Sequence, residues 1–210
     1  MSAFPAFLLD GYKSFMAHRY APEEARYKVL ADKGQSPTTL IIACCDSRSA
    51  PETIFDAGPG EMFVLRNVAN LVPPFQPDGG QHGTSAAIEF AVAALKISNI
   101  VVMGHGRCGG IKAALADAAP LAQGDFIGKW LTMLGPASEA VSKYTLLTNT
   151  ERETMLERFS IRNSIANLRT FPYVKALEDE GKLAIHGAWF DISTGELWVM
   201  NPEGDFYRPD

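Results

Sequence analysis

Cysteine is scarce in this chain. There are three among 210 residues, and an odd, sparse count excludes a disulfide framework. Histidine is nearly as rare, with four. Positive charge is short as well: 19 Lys and Arg against 24 Asp and Glu leave a formal charge of -5. No basic stripe is available to neutralise phosphates, which argues against nucleic acid, and no polybasic run favours an anionic membrane surface. No apolar run approaches the roughly 18 residues that a membrane span requires. The stretch Met1–Asp10 has no positive region ahead of its apolar residues, so no secretory leader is expected. These absences predict a cytoplasmic protein whose few thiols bind metal or do chemistry.

What is present suffices for a full core, with 47% of the residues hydrophobic. The expectation is one domain over residues 1–210, made of a helical arm (1–33) and an α/β core (34–210). Phe4 to Val29 reads as one or two amphipathic helices, with Pro22 suited to a first turn. Thr38–Ala43, Met62–Leu65 and Ile100–Met103 read as strands, the first buried on both faces, with Leu183–Phe190 and Glu196–Met200 as closing strands. Helices are expected over Thr84–Leu95 (Thr84 as N-cap), from Gly109 to Ala118, and over Ile127–Thr148, Glu151–Thr170 and Pro172–Gly181. Strands alternating with helices predict an α/β fold: a mostly parallel central sheet of about four strands plus a C-terminal edge strand, flanked by helices. Ligands in such folds gather beyond the carboxyl ends of the strands.

All three cysteines lie at two such ends. Cys44-Cys45-Asp46-Ser47-Arg48 follows the first strand, and Gly104-His105-Gly106-Arg107-Cys108-Gly109-Gly110 follows the third. Cys44, His105 and Cys108 supply three corners of a tetrahedral zinc site, and three protein ligands leave a fourth corner for water. Side-chain alternation lets Cys44 and Asp46 face the metal together and turns Cys45 away, so Cys45 is expected to pack into the core. Asp46 and Arg48 are close enough to pair if the chain turns there. The pair either caps the strand end or holds Asp46 off the metal, keeping the fourth corner free.

Two rival readings fail on the sequence. Gly104-His105-Gly106-Arg107-Cys108-Gly109 matches the dinucleotide fingerprint, but no strand ending in an acidic residue follows about 20 residues later. A thiol enzyme using Cys44 with Arg48 as anion holder has too little backbone between them, and Asp46 would repel the anion.

At these residues the chain resembles the β-class carbonic anhydrases, in the plant-like subtype. Cys44-x-Asp46-Ser47-Arg48 and His105-x-x-Cys108-Gly109-Gly110 are joined by the matching stretches Glu61–Asn70, Gly83–Glu89 and His186-Gly187 with Asp191. The resemblance implies one zinc per chain on Cys44, His105 and Cys108, with Asp46 and Arg48 as a catalytic dyad. It implies reversible hydration of carbon dioxide to bicarbonate and a proton by a zinc-activated hydroxide. It also implies a substrate pocket of Gln35, Phe63, Phe90 and Gly109, with the Gln supplied across a dimer interface. Homodimers or dimer-based assemblies such as tetramers are implied, with the N-terminal helices packing on the partner subunit. The Trp-Arg-Tyr set with which the other bacterial subtype binds regulatory bicarbonate reads Ile41, Arg66 and Phe190 here, so no bicarbonate switch is expected. Phe90 and Ala94 stand where some members carry a Tyr and a His for proton export, and His82 reads as a surface histidine nearby. Hydrolysis of carbonyl sulfide or carbon disulfide on the same scaffold, and a non-catalytic zinc-sensing module, are the alternatives.

Overall fold

A computed structural model describes residues 4–116, 120–121 and 123–209. The N-terminal arm is α1 (Ala6–Phe15), a wide π-type turn over Met16–Tyr20, and α2 (Ala21–Lys33). Pro22 lies in the first turn of α2; it has no N–H to donate backwards, which accounts for the widened turn before it. Then come β1 (Thr39–Cys44), α3 (Pro51–Ile54), β2 (Met62–Asn67), α4 (Gly83–Glu89), β3 (Asn99–His105) and α5 (Gly109–Leu115). The remainder is α6 (Phe126–Leu131), α7 (Gly135–Ser142), α8 (Asn149–Leu168), α9 (Pro172–Asp179), β4 (Ala184–Phe190), β5 (Leu197–Met200) and β6 (Phe206–Tyr207).

The sheet order is β2-β1-β3-β4-β5-β6, parallel from β2 through β4 and antiparallel thereafter. This is the mostly parallel sheet that the alternation of strands and helices predicts. Five details differ from the sequence reading. The segment expected as one helix over Ile127–Thr148 is two helices, because Pro136 opens α7 in its first turn and Thr148 is taken as the N-cap of α8. Thr84 is not an N-cap: α4 begins at Gly83, and the Thr84 hydroxyl instead lies 3.4 Å from Asn67 Nδ2. The strand at 197–200 is not the edge, since β6 pairs outside it. Helix α5 stops at Leu115, and Ala118 lies outside the described residues. Cys45 is exposed rather than packed into the core.

β1 is buried from Leu40 to Cys44, as an inner parallel strand should be. Leu40 and Ile42 join Ile100, Val102, Ile161, Ile165, Leu168 and Phe171 on the α8 face, whereas Ile41 and Ala43 meet Met103 and Ala188 on the other. Helix α8, capped by a Thr148–Glu151 box, lies close over β3 and β4. Glycine permits that approach: a Cβ on Gly104 would sit 2.9 Å from Ile161 Cδ1. The Arg158 guanidinium stacks 4.9–5.3 Å from the rings of Trp189, Trp198 and Phe206, fastening the same helix to the β4–β6 edge.

The contact at Gly104 gives a stability prediction. Gly104→Ala should destabilise the fold by ~1–3 kcal/mol through overpacking. In a thermal melt that is a midpoint lower by about 2–12 °C. Adding Ile161→Val removes the clashing Cδ1 and should recover part of the loss; no recovery would mean that close α8 packing is not what requires glycine.

Candidate active site

In-register pairing aligns Ala43 with Met103, so Cys44, the last residue of β1, comes beside the Gly104-His105 end of β3. Gly106 N–H donates to the Phe190 carbonyl at 2.8 Å, carrying the ladder one step further. Arg107 then turns the chain in the left-handed region (φ 60) and returns Cys108 to the start of α5. The ligand atoms of Cys44, His105 and Cys108 all lie within 4.8 Å of one another, and all three residues are buried. Among the described residues this is the one His, Cys, Asp and Glu group able to hold a metal ion.

The donor chemistry fits zinc. The two Sγ atoms are 3.9 Å apart, against the ~3.8 Å that a tetrahedral ion with 2.3 Å arms imposes on two sulfurs. His105 Nδ1–H donates to the Gly106 carbonyl at 2.8 Å, which leaves the Nε2 lone pair free. That Nε2 is buried with no hydrogen-bond partner, an orphan that a metal would satisfy. Without a metal the Cys108 thiol, ahead of His105 and the backbone N–H groups of Asp46 and Ala69, draws the Cys44 thiol well below the ordinary thiol range against the effect of burial. Cys108, facing that thiolate, is pushed upward.

Asp46 faces the same point without occupying it. Its Oδ2 is 3.9 Å from His105 Nε2. Arg48 grips it bidentately, Nη2 to Oδ2 at 2.7 Å and Nε to Oδ1 at 2.9 Å, while the Arg48 backbone N–H adds a third bond at 3.0 Å. The guanidinium holds the Asp46 carboxyl well below the usual carboxylate range. Arg48 Nη2 also reaches the Arg107 carbonyl at 3.3 Å, joining the two ligand-bearing loops. Arg66, read from sequence only as part of an incomplete bicarbonate set, donates to the carbonyls of Cys44 (2.8 Å) and Asp46 (2.6 Å) and pins the end of β1. An arginine two positions before the loop, at the end of the adjacent strand, was the available sequence clue.

Cys45 opens into a cavity of about 600 Å³ that is also lined by Val68, His82, Thr84, Phe126 and Trp130. The strand has ended there, and Cys45 is exposed among the described residues. His82 pairs with Asp78, Nε2 to Oδ1 at 2.6 Å, on the cavity wall.

The expected pocket residues do not converge within one chain. Gly109 adjoins Cys108 and has open space where its Cβ would be. Gln35 is exposed ahead of β1, at the opposite end of that strand from Cys44. Phe63 pairs with Leu40, four residues before the Cys44–Asn67 level, about 13 Å along the strand. Its ring packs at a tilt against Phe90, centroids 5.8 Å apart, and Phe90 is 51% exposed.

The sequence profile of the carbonic anhydrase family matches residues 39–197. A carbonic anhydrase of Pseudomonas aeruginosa is 37% identical over 194 residues, covering 92% of this chain and 86% of the relative. The solved β-carbonic anhydrase CcaA superposes with a TM-score of 0.89 at 29% identity, covering 97% of this chain and 91% of that one. The tetrameric β-carbonic anhydrases of Sordaria macrospora give 0.79 at 31% identity, covering 93% of this chain and 95% of that one.

The grip of Arg48 predicts how Asp46 titrates. Its folded pKa is depressed, so the stability it lends is fully present above the unfolded value near 3.8 and is lost as pH falls through the lower folded value. A carboxyl-carbon NMR titration of metal-free protein should find Asp46 still ionised where ordinary aspartates have protonated. Arg48→Met should return it toward the ordinary value. An Asp46 that titrates normally in the wild type would contradict the pairing.

Proposed function

The chain belongs to the β-class carbonic anhydrases, a family of zinc-using carbonate dehydratases, and we propose that it hydrates carbon dioxide reversibly at a site where Asp46 and Arg48 orient the attacking oxygen. One observation carries this reading. Cys44, His105 and Cys108 converge with the His105 Nε2 lone pair free, while the nearest carboxylate, Asp46, is turned aside by Arg48. A structural or sensing site closes its fourth corner with a protein ligand. Here the group that could close it is held back.

Cys44, His105 and Cys108 would hold one zinc per chain, and zinc when bound supplies Lewis acidity that brings the pKa of a water from 15.7 toward about 7. Asp46, kept ionised by Arg48, can only accept a hydrogen bond. It therefore takes the O–H of the attacking oxygen and turns the lone pair toward the carbon of carbon dioxide. Carbon dioxide offers almost no polar handle, so positioning carries the catalysis. The apolar wall of Val68 beside Cys45 suits such a substrate. The reaction yields bicarbonate and one proton.

The site is incomplete in one chain, and we assign Gln35, Phe63 and Phe90 to the pocket of a second copy. Support comes from their distance from Cys44 within this chain, and from an arm that buries none of its described residues while exposing Phe4, Phe7, Leu8, Leu9 and Tyr12. A homodimer, or an assembly of dimers, follows. No described helix is long and apolar enough to cross a membrane. Three free cysteines suit the reducing cytoplasm, where we place the protein.

Stopped-flow hydration assays test the chemistry. Cys44→Ser, His105→Ala and Cys108→Ser should each lose bound zinc and activity together. Asp46→Asn should keep zinc and lose turnover by ~100-fold or more. Activity in zinc-free protein, or undiminished turnover in Asp46→Asn, would sink the mechanism. A hybrid dimer tests the shared pocket. One chain carries Gln35→Ala and the other Cys108→Ser, so one of the two sites keeps both its ligands and its partner's Gln35. The hybrid should regain about half the wild-type rate although each parent homodimer is impaired. A hybrid no better than its parents would place Gln35 in the same chain as the metal it serves.

A further inference from the structure

Helix α8 buries a stripe on which polar side chains recur at helical spacing: Glu157, Ser160, Ser164 and Asn167. Glu157, Ser160 and Ser164 are at most 1% exposed. A carboxylate is costly to bury unless its oxygens are satisfied, so what it touches is informative. Glu157 Oε1 accepts from the Cys108 N–H at 3.1 Å, and Oε2 accepts from Trp189 Nε1–H at 3.0 Å. Ser160 accepts from Asn70 Nδ2 at 3.3 Å. Ser164 donates to the Asn70 carbonyl at 3.0 Å and accepts from the Val72 N–H at 3.1 Å. Asn167 Nδ2 donates to the Val72 carbonyl at 2.7 Å.

One helix face therefore ties down two loops, and each serves one sulfur. Gly106–Cys108 carries Cys108. Val68–Val72 carries Ala69, whose N–H points at Cys44 Sγ from 3.4 Å. Both loops hold non-glycine residues in the left-handed region: Arg107 (φ 60), Ala69 (φ 63) and Asn70 (φ 50). Such backbone persists only where its surroundings over-determine it.

We propose that the polar stripe of α8, led by Glu157, is a positioning device that holds the loop bearing Cys108 and the loop that donates to Cys44 in their strained conformations and so preforms the zinc site. The inference rests on Cys44, His105 and Cys108 being the zinc ligands. Glu157 acts through Cys108 and touches no substrate. Both of its oxygens accept, so a glutamine can satisfy only one of the two facing N–H donors.

The test measures zinc release into excess chromogenic chelator, alongside thermal melts of the zinc-free proteins. Glu157→Gln should release zinc ~10–100-fold faster than wild type, and Ser164→Ala should also release it faster. Leu168→Ala, a cavity variant at a buried apolar position of the same helix that makes none of the stripe's hydrogen bonds, should lower the melting temperature at least as much while leaving zinc release near wild type. Should Glu157→Gln fail to fold, Ser164→Ala against Leu168→Ala decides the matter. Release from both stripe variants within twofold of wild type would overturn the inference, as would equal acceleration in Leu168→Ala. Wild type that held no zinc would overturn the ligand assignment itself, a result separable from either.

Discussion

Parallel, in-register pairing of β1 with β3 is the constraint on which the rest depends. It sets Cys44 beside the Gly104-His105 end of β3, and the left-handed turn at Arg107 returns Cys108 to the same point. A one-residue slip would turn Cys44 to the opposite face of the sheet. Register is protected by burial, because Leu40 and Ile42 on one face and Ile41 and Ala43 on the other are all in the core. Two-sided burial thus fixes a metal geometry several residues away.

On that frame the site is governed by who holds whom. Arg48 saturates the Asp46 carboxylate and reaches across to the Arg107 carbonyl, while Arg66 fastens the backbone of Cys44 and Asp46. His105 spends one ring nitrogen on the Gly106 carbonyl, which commits the other to the metal. The result is a three-ligand group with a restrained carboxylate beside it. That arrangement is what the proposed activation and aiming of a water would require.

How much of this could be read from sequence varies with the kind of information each residue carries. β1 was legible within a residue because a run of branched apolar residues has few other homes in an α/β fold. Cys44, Asp46, Arg48, His105 and Cys108 were legible because ligand spacing at strand ends is local. The break between α6 and α7 was missed although Gly135-Pro136 marks it, since the apolar period continues through it. Cys45 was misplaced because alternation says which way a side chain points, not whether anything covers it. Glu157 was invisible: an acidic residue in an amphipathic helix reads as solvated face until the loops it meets are known. Gln35, Phe63 and Phe90 lie far from Cys44 along the strand direction, a separation that local patterns in the sequence do not state.

The central claim is that zinc here has three protein ligands and a fourth position kept free by the Asp46–Arg48 pair. X-ray absorption on zinc-loaded protein near neutral pH tests it most directly. The account predicts two sulfurs at ~2.3 Å, one imidazole nitrogen at ~2.0–2.1 Å and one exchangeable light atom that an added anion replaces. The same shell should persist in Asp46→Asn. A third sulfur, or a light-atom ligand that resists exchange and disappears in Asp46→Asn, would contradict it.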